Sequence, residues 1–390
     1  MLWRIMSKTV PFAPTVLMLG NIITGMCVLA PAGMLPELAE GLGVTIEDVA
    51  LLMTFGAVVL CIGSPLMAWL TSRIDRRLLL GTSLLAMALM SLASAVAPSY
   101  AALLLARLVM LAVGVLYTPQ AGGTATLIVP PERRGSAIAY LFLGWSLAAA
   151  AGLPLIAFGV HQIGWRAIYA VIGIAGLASA ALVFWRVPRG LFTEPVDLRT
   201  WASVGRNPLI LTLLAITTLL IGGQFLTYTF LGPLLKALTN AEPAAIAAVF
   251  AIYGFAGVAG NLFASSVVGG WGAYRTSAFF AVLIVIGSAV WSFGAGSLPI
   301  MSLGAALWGF GFVASNSMQQ VRLIAADPAL SGATVSLNTS ALYVGQGIGS
   351  AIGTALYTQQ LHHAFGFASL AMVTLALVLI LATRRGAPSA

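Results

Sequence analysis

The 390-residue sequence predicts an all-α membrane protein with twelve transmembrane helices in two six-helix halves. Three observations predict it. The chain is 60% hydrophobic and only 7% charged, whereas a soluble domain is about 25% charged. Its charge-free stretches reach the length of bilayer crossings, which need about 20 apolar residues. A single offset of 197 residues superposes glycines and prolines of the first half on those of the second.

The spans follow from the charges in chain order. No charge falls between Lys8 and Glu37, Asp48 and Arg73, Arg134 and Arg166, Arg166 and Arg186, Arg206 and Lys236, or Glu242 and Arg275, which gives six crossings. Three further stretches are too long for one crossing. Arg77 to Glu132 is interrupted at Pro98-Ser99-Tyr100, Arg275 to Arg322 at Gly294 to Pro299, and Asp327 to Arg384 near His362 to Gly366. Each splits in two, making twelve. The first apolar segment is too long for a signal-peptide core and runs into Pro31 and Pro36, so it is expected to be an uncleaved first helix.

Net charge is +8, which in a soluble protein raises the question of nucleic acid. The distribution answers it, and no nucleic-acid partner is expected. With the amino terminus inside, Arg4, Lys8, Arg73, Arg76, Arg77, Arg133, Arg134, Arg186, Arg189, Arg199, Arg206, Arg275, Arg322, Arg384 and Arg385 lie on inner loops and termini, against only Arg166 and Lys236 outside. This positive-inside bias predicts a bacterial inner (cytoplasmic) membrane protein with both termini cytoplasmic.

The offset of 197 places Gly25 on Gly222, Pro36 on Pro233, Gly63 on Gly260, Gly114 on Gly311, Pro131 on Pro328, Gly135 on Gly332 and Gly152 on Gly349. A duplicated six-helix unit is expected, with halves 1–187 and 208–390 joined by a cytoplasmic linker, 188–207. Within the linker, Asp197 to Arg206 reads equally as a short interfacial helix with Leu198, Trp201 and Val204 toward lipid, or as a solvated tether. Cys27 and Cys61 both fall in spans, where a thiol packs as a small hydrophobe, and carry no expected role.

The stretch Gly63-Ser-Pro-Leu-Met-Ala-Trp-Leu-Thr-Ser-Arg-Ile-Asp-Arg-Arg77 resembles the loop signature of the major facilitator superfamily, Gly-x-Leu-Ala-Asp-Arg-x-Gly-Arg-Arg. Leu70, Arg73, Arg76 and Arg77 match; Ala68, Ser72 and Asp75 replace the first Gly, the Asp and the second Gly. That departure is similar to the drug- and sugar-efflux branch, the arabinose-efflux-permease-like proteins. Pro130 to Ala137 resembles the branch's loop after helix 4. Gly144-Trp-Ser-Leu-Ala-Ala-Ala-Ala-Gly-Leu-Pro154, followed by Gly164-Trp165-Arg166, resembles the antiporter signature of helix 5, with leading glycines thinned to alanines.

The resemblance implies a transporter that rocks its halves about a midplane site, and it implies gating roles. Arg73, Asp75, Arg76 and Arg77 are expected to form a charged latch with the inner end of a second-half helix. Gly152 and Pro154 read first as a packing and bending site of span 5, and more sharply as a place where motion occurs.

Arg107 is the one ionisable side chain placed well inside a span, roughly eight residues into span 4. A cation there costs at least ~2.5 kcal/mol on insertion scales and must face protein or a water-filled cavity. Its position resembles the family's helix 4 arginine, associated with coupling and substrate binding, although Leu111 stands where the family has a nearby Gly. It is expected to face the central cavity, disfavouring permanent cations and favouring neutral polar solutes, weak acids or zwitterions. An internally hydrogen-bonded, structural Arg107 is the other reading.

Helices 1, 4, 7 and 10 surround the cavity in the family, so Asn21 and Thr24, Tyr117, Gln224 and Tyr228, and Asn316 and Gln320 are the expected lining, with Tyr343 in span 11. For each, hydrogen-bonded glue between helices stands as the alternative. Gly345 and Gly349 read as close-packing positions.

No span centre holds an acid, and His161, His362 and His363 sit in outer loops. Proton coupling therefore has three readings: Glu37 reaches inward toward Arg107, the proton competes through Arg107 and water, or the carrier is an uncoupled facilitator. There is no nucleotide-binding loop, no metal-ligand spacing, and no nucleophile-base or carboxylate pair within the bilayer. The sequence thus points to a monomeric secondary carrier exporting a small solute, with a proton as coupling ion and no cofactor, rather than an enzyme. An uncoupled or uptake facilitator of the same fold is one alternative, and a non-transporting membrane receptor is the alternative from another class.

Overall fold

In the computed structural model the described residues, 12–71, 73–130, 134–192, 205–327 and 331–383, form helices and short connections without strands. The expected interfacial helix in 197–206, the missing loop acid at Ser72 and the terminal arginines fall almost wholly outside them.

Among the described residues the helices make twelve crossings. α1 comprises Ala13–Leu29, a tight turn Ala30–Gly33 and an extension Leu35–Leu42; α2 is Ile46–Leu70 and α3 Arg76–Ala95. α4 comprises Tyr100–Gly114 and Tyr117–Ile128. α5 runs from Arg134–Leu147 through Ala148–Gly152 to residue 163, where Gly164 (φ 77°) reverses the chain into α6, 165–186. α7 comprises Pro208–Tyr228 and Leu231–Thr239. Gly272 (φ 75°) separates α8, 243–271, from α9, 273–293, without an intervening loop. Both reversals use a positive φ that only glycine adopts without strain. α10 is Leu298–Ala326, α11 Ser331–Thr358 and α12 Ala364–Ala382.

The repeat is visible as contacts, not only as matching letters. A Cβ on Gly25 would lie 2.7 Å from Ala148 Cβ, and its counterpart Gly222 meets Gly345, which is Ala148 shifted by 197. Gly114 abuts Met87 just as Gly311 abuts Ile284, again 197 apart. The α1–α5 and α3–α4 packings therefore recur as α7–α11 and α9–α10. Gly349, 2.1 Å at its would-be Cβ from Gly222 O, lets α11 lie directly on α7, the packing role expected of it.

Two seams join the halves. α2 lies along α11, with Gly347 against Ala57 and the Ser340 hydroxyl donating to Cys61 O at 3.4 Å. α5 meets α8 where a Cβ on Gly254 would fall 2.2 Å from Ala150 Cα. Here α5 is wound as a π-helical turn: Pro154 offers no N–H to the Ala150 carbonyl, and the Leu153 N–H reaches back five residues to Ala148 O. Large apolar side chains such as Leu105, Ile174 and Phe293 stay exposed around the perimeter, where lipid replaces water.

One face of the bundle carries Arg73, Arg77, Arg189, Arg206 and Arg275. We call it the basic face. On the opposite face the α1 extension meets the α7 extension, and residues 220–235 of α7 are buried throughout. Toward the basic face Leu19, Gln120, Thr218, Asn316 and Gln320 keep partial exposure. The bundle is thus sealed at the opposite face.

Candidate functional site

The first half and the second half treat their buried polar groups differently. In the first half, the expected lining residues Asn21, Thr24 and Tyr117 are all hydrogen-bonded within the protein. Asn21 donates to Leu141 O at 3.0 Å and accepts from the Thr118 hydroxyl at 2.6 Å, tying α1, α4 and α5. Tyr117 donates to Leu17 O at 3.1 Å, its hydroxyl seated over Gly20. Thr24 bonds its own helix at Gly20 O.

Arg107 is a correction to the cavity-facing expectation. It is 1% exposed, and its guanidinium is enclosed by backbone: Nε donates to Leu52 O at 2.9 Å, Nη1 to Cys27 O at 3.1 Å and Nη2 to Val28 O at 3.0 Å, with Met53 Sδ at 3.4 Å. The physical reason lies four residues beyond Cys27. Pro31 has no N–H, so the Cys27 carbonyl lacks its helical donor and the chain tightens into the Ala30–Gly33 turn. An arginine fork is the side chain that can satisfy several such acceptors at once. Gly56 leaves the space beside it: a Cβ there would lie 3.6 Å from Nε and Nη2.

In the second half, α7 and α10 border a narrow seam, in this state too tight to admit a water molecule, lined by Thr217, Leu220, Ile221, Gln224, Phe312, Ser315, Asn316 and Gln319. Gln224 is 1% exposed, and neither its amide nitrogen nor its oxygen has a partner; Ser315 Oγ and Gln319 Oε1 are likewise unpartnered. Unpaired buried polar atoms each cost about 1–3 kcal/mol, so four around one gap are an unusual concentration. Below them a chain runs Thr217 to Asn338 at 2.7 Å and Asn338 to Asn316 at 3.2 Å, fixing α7, α11 and α10 together. Gln319 Nε2 is held by the Ser277 hydroxyl of α9 at 3.1 Å.

Of the expected lining, then, Gln224 and Asn316 meet in this seam. Gln319 rather than Gln320 completes it, one residue being enough to turn a side chain by about 100° on a helix. Gln320 is half-exposed toward the basic face. Tyr228 lies deeper, in an aromatic cluster with Phe225, Phe250, Tyr253 and Trp308 at centroid distances from 4.8 to 6.5 Å. Tyr343 is half-buried on α11 away from the seam lining. Sequence spacing missed Ser315 and Gln319, although each is next in sequence to a residue it named, Asn316 and Gln320.

The gating residues divide. Gly152 packs on Met26 of α1, beside the α5–α8 crossing. For the expected latch with a second-half helix, the bonds described for Asp75 and Arg76 run to other segments. Asp75 caps α3 at the Leu78 N–H and accepts from the Gly190 N–H, and the Arg76 N–H donates to Leu191 O at 2.9 Å, so these bonds tie the start of α3 to the segment just after α6. The Arg76 side chain turns back on Thr71 O, while Arg73 is exposed. Glu37 does not reach Arg107 either. It pairs with His161 at 3.3 Å on the opposite face, and burial pushes its carboxyl above the usual carboxylate range, partly offset by its backbone hydrogen bond and His161.

The family profile described as Major Facilitator Superfamily matches residues 17–329. The chain belongs to the Major Facilitator Superfamily. As a member of it the protein is a multi-pass membrane transporter and not an enzyme. Among curated relatives it is 28% identical to the inner membrane transport protein YdhP of Escherichia coli K12, over 95% of this chain and 96% of that one. It is 30% identical to the chloramphenicol efflux pump Rv0191 of Mycobacterium tuberculosis H37Rv, over 59% and 56%. A solved D-xylose-proton symporter shares the fold, with a TM-score of 0.76 at 14% identity, covering 95% of this chain and 97% of that one.

Proposed function

We propose that this facilitator exports a small, uncharged, hydrogen-bonding solute across the cytoplasmic membrane by alternating access, acting as a monomer. The observation that carries the solute class is Gln224, whose amide offers donor and acceptor inside a seam with no charged lining residue. A solute hydroxyl, amide or carbonyl supplies what Gln224, Ser315 and Gln319 lack. Bringing a charge there adds a desolvation cost that no lining side chain offsets. The relative named as an efflux pump supports the export direction, and the distribution of arginines supports cytoplasmic termini.

The moving bodies are the halves 1–187 and 208–390, with 188–207 as tether. Small residues at both seams, Gly347 on Ala57 and Gly254 on Ala150, let rigid halves pivot without interlocking long side chains. The sealed opposite face then corresponds to an inward-facing state. Arg107 acts as a bracket that holds the broken end of α1 against α2 and α4.

For proton antiport, the carrier in this reading is the Glu37–His161 pair, where the α1 extension meets the end of α5. The further charged group acting on Glu37 is Glu40 on the same extension. An uncoupled facilitator is the second reading, favoured by the uncharged seam. Purified protein in liposomes decides: counterflow of an uncharged solute that is lost in Gln224→Leu supports the site, and acceleration by an imposed pH gradient that disappears in Glu37→Gln supports antiport. No counterflow with any solute of this class would refute the reading.

A further inference from the structure

We infer that the basic face carries a binding site for the headgroup of an anionic phospholipid, between α3 and α6. An open groove of about 430 Å³ lies there, lined by Asp75, Arg77, Leu78, Phe184 and Arg189. Its two guanidiniums are uncommitted: the ion pair formed among the described residues is Glu37–His161, on the other face. The one acid in the groove offsets only one of the two charges, and its carboxylate oxygens are occupied by the backbone N–H groups of Leu78 and Gly190, so the groove stays net positive with both guanidinium forks open. Asp75 thereby pins the stretch bearing Arg189 beside the start of α3, which keeps the two arginines on one groove.

The walls select a lipid rather than a soluble anion. Phe184 lies flat on Gly81, where a Cβ would come within 2.5 Å of the ring, so its apolar face lines the groove. From the groove, exposed residues run along the bundle surface in two stripes at helical spacing, Leu78, Thr82, Leu85 and Leu89 on α3, and Trp185, Ala181, Ala178 and Ile174 on α6. These stripes offer a path for acyl chains directly below the arginines. Trp185 is exposed with the Arg186 guanidinium stacked 3.8 Å over its ring, the arrangement of a side chain seated at the membrane interface. A phosphodiester placed between Arg77 and Arg189 accepts forked, charge-assisted hydrogen bonds that an ammonium could not match.

The test uses the full chain in mild detergent, titrated with phosphatidylglycerol, phosphatidylcholine or inorganic phosphate and followed by native mass spectrometry and thermal shift. Wild type is expected to bind phosphatidylglycerol at least tenfold more tightly than phosphatidylcholine. Arg77→Gln/Arg189→Gln is expected to lose that preference by roughly tenfold or more, since basic side chains each add to anionic-surface attraction. Its lipid-free melting temperature should be unchanged, and Lys236→Gln on the opposite face should behave as wild type. Equal binding of the two lipids by wild type, or an undiminished preference in the double variant, overturns the site. A full thermal shift from inorganic phosphate alone would overturn the lipid and assign the groove to a soluble anion.

Discussion

Arg107 donates to the Cys27 carbonyl at 3.1 Å, the acceptor that Pro31 leaves without its helical donor. The cation thus takes the place of the missing backbone N–H at Cys27, and its other two nitrogens donate to the Val28 and Leu52 carbonyls. Arg107→Ala should lower stability by roughly 2–3 kcal/mol, because hydrogen bonds to charged groups are lost and a buried carbonyl is orphaned. Arg107→Lys should recover only part, a lysine lacking the fork. Pro31→Ala restores an N–H, so the loss on Arg107→Ala should shrink by about 1 kcal/mol in that background. Thermal unfolding of the four variants as a cycle checks it; additive losses would refute the coupling.

Gln224→Leu should separate stability from transport. Replacing an amide that has no partner with an apolar side chain of similar size should raise stability by about 1–3 kcal/mol, while uptake into inverted vesicles falls at least tenfold. A residue that merely holds the fold would lose both together. Ser315→Ala should show the same opposition with smaller amplitude.

Gly254→Ala should obstruct the α5–α8 crossing, since its Cβ would fall 2.2 Å from Ala150 Cα, and backbone cannot rotate out of the way as a side chain can. The expected outcome is normal insertion in the membrane, transport reduced by an order of magnitude, and a raised labelling rate for a cysteine introduced at Leu35, which is now buried on the sealed face. Labelling is measured with Cys27 and Cys61 replaced by alanine. An unchanged rate would show that the crossing does not control the seal.

Glu37 gives a pH prediction with a definite sign. Its carboxyl is held above the ordinary value of about 4.3 by burial, so the folded state prefers the protonated form. That contribution is complete below the ordinary pKa and is lost as pH rises through the raised one. Glu37→Gln cannot lose it. The melting temperature of wild type minus that of Glu37→Gln should therefore be more positive at pH 4 than at pH 7, and a difference of the opposite sign would place Glu37 in an environment that favours its anion.

The sequence by itself determined the solvent, the number of crossings and the duplication. These are properties of composition and spacing: long charge-free stretches can satisfy their backbone only as helices in lipid, and a repeat of 197 residues is visible as letters before it is visible as Gly25 on Ala148 and Gly222 on Gly345. The tertiary structure alone decided which polar residues are spent and which are free. Asn21 and Gln224 are both amides in spans that flank the centre, yet Asn21 is bonded at both ends across α1, α4 and α5, and Gln224 at neither. The difference depends on what other helices bring within about 3 Å, and spacing along one helix carries no information about that. The same holds for Arg107. Its sequence showed a costly buried cation, and only the approach of α1 and α2 showed that the cost is offset by carbonyls rather than by a solute.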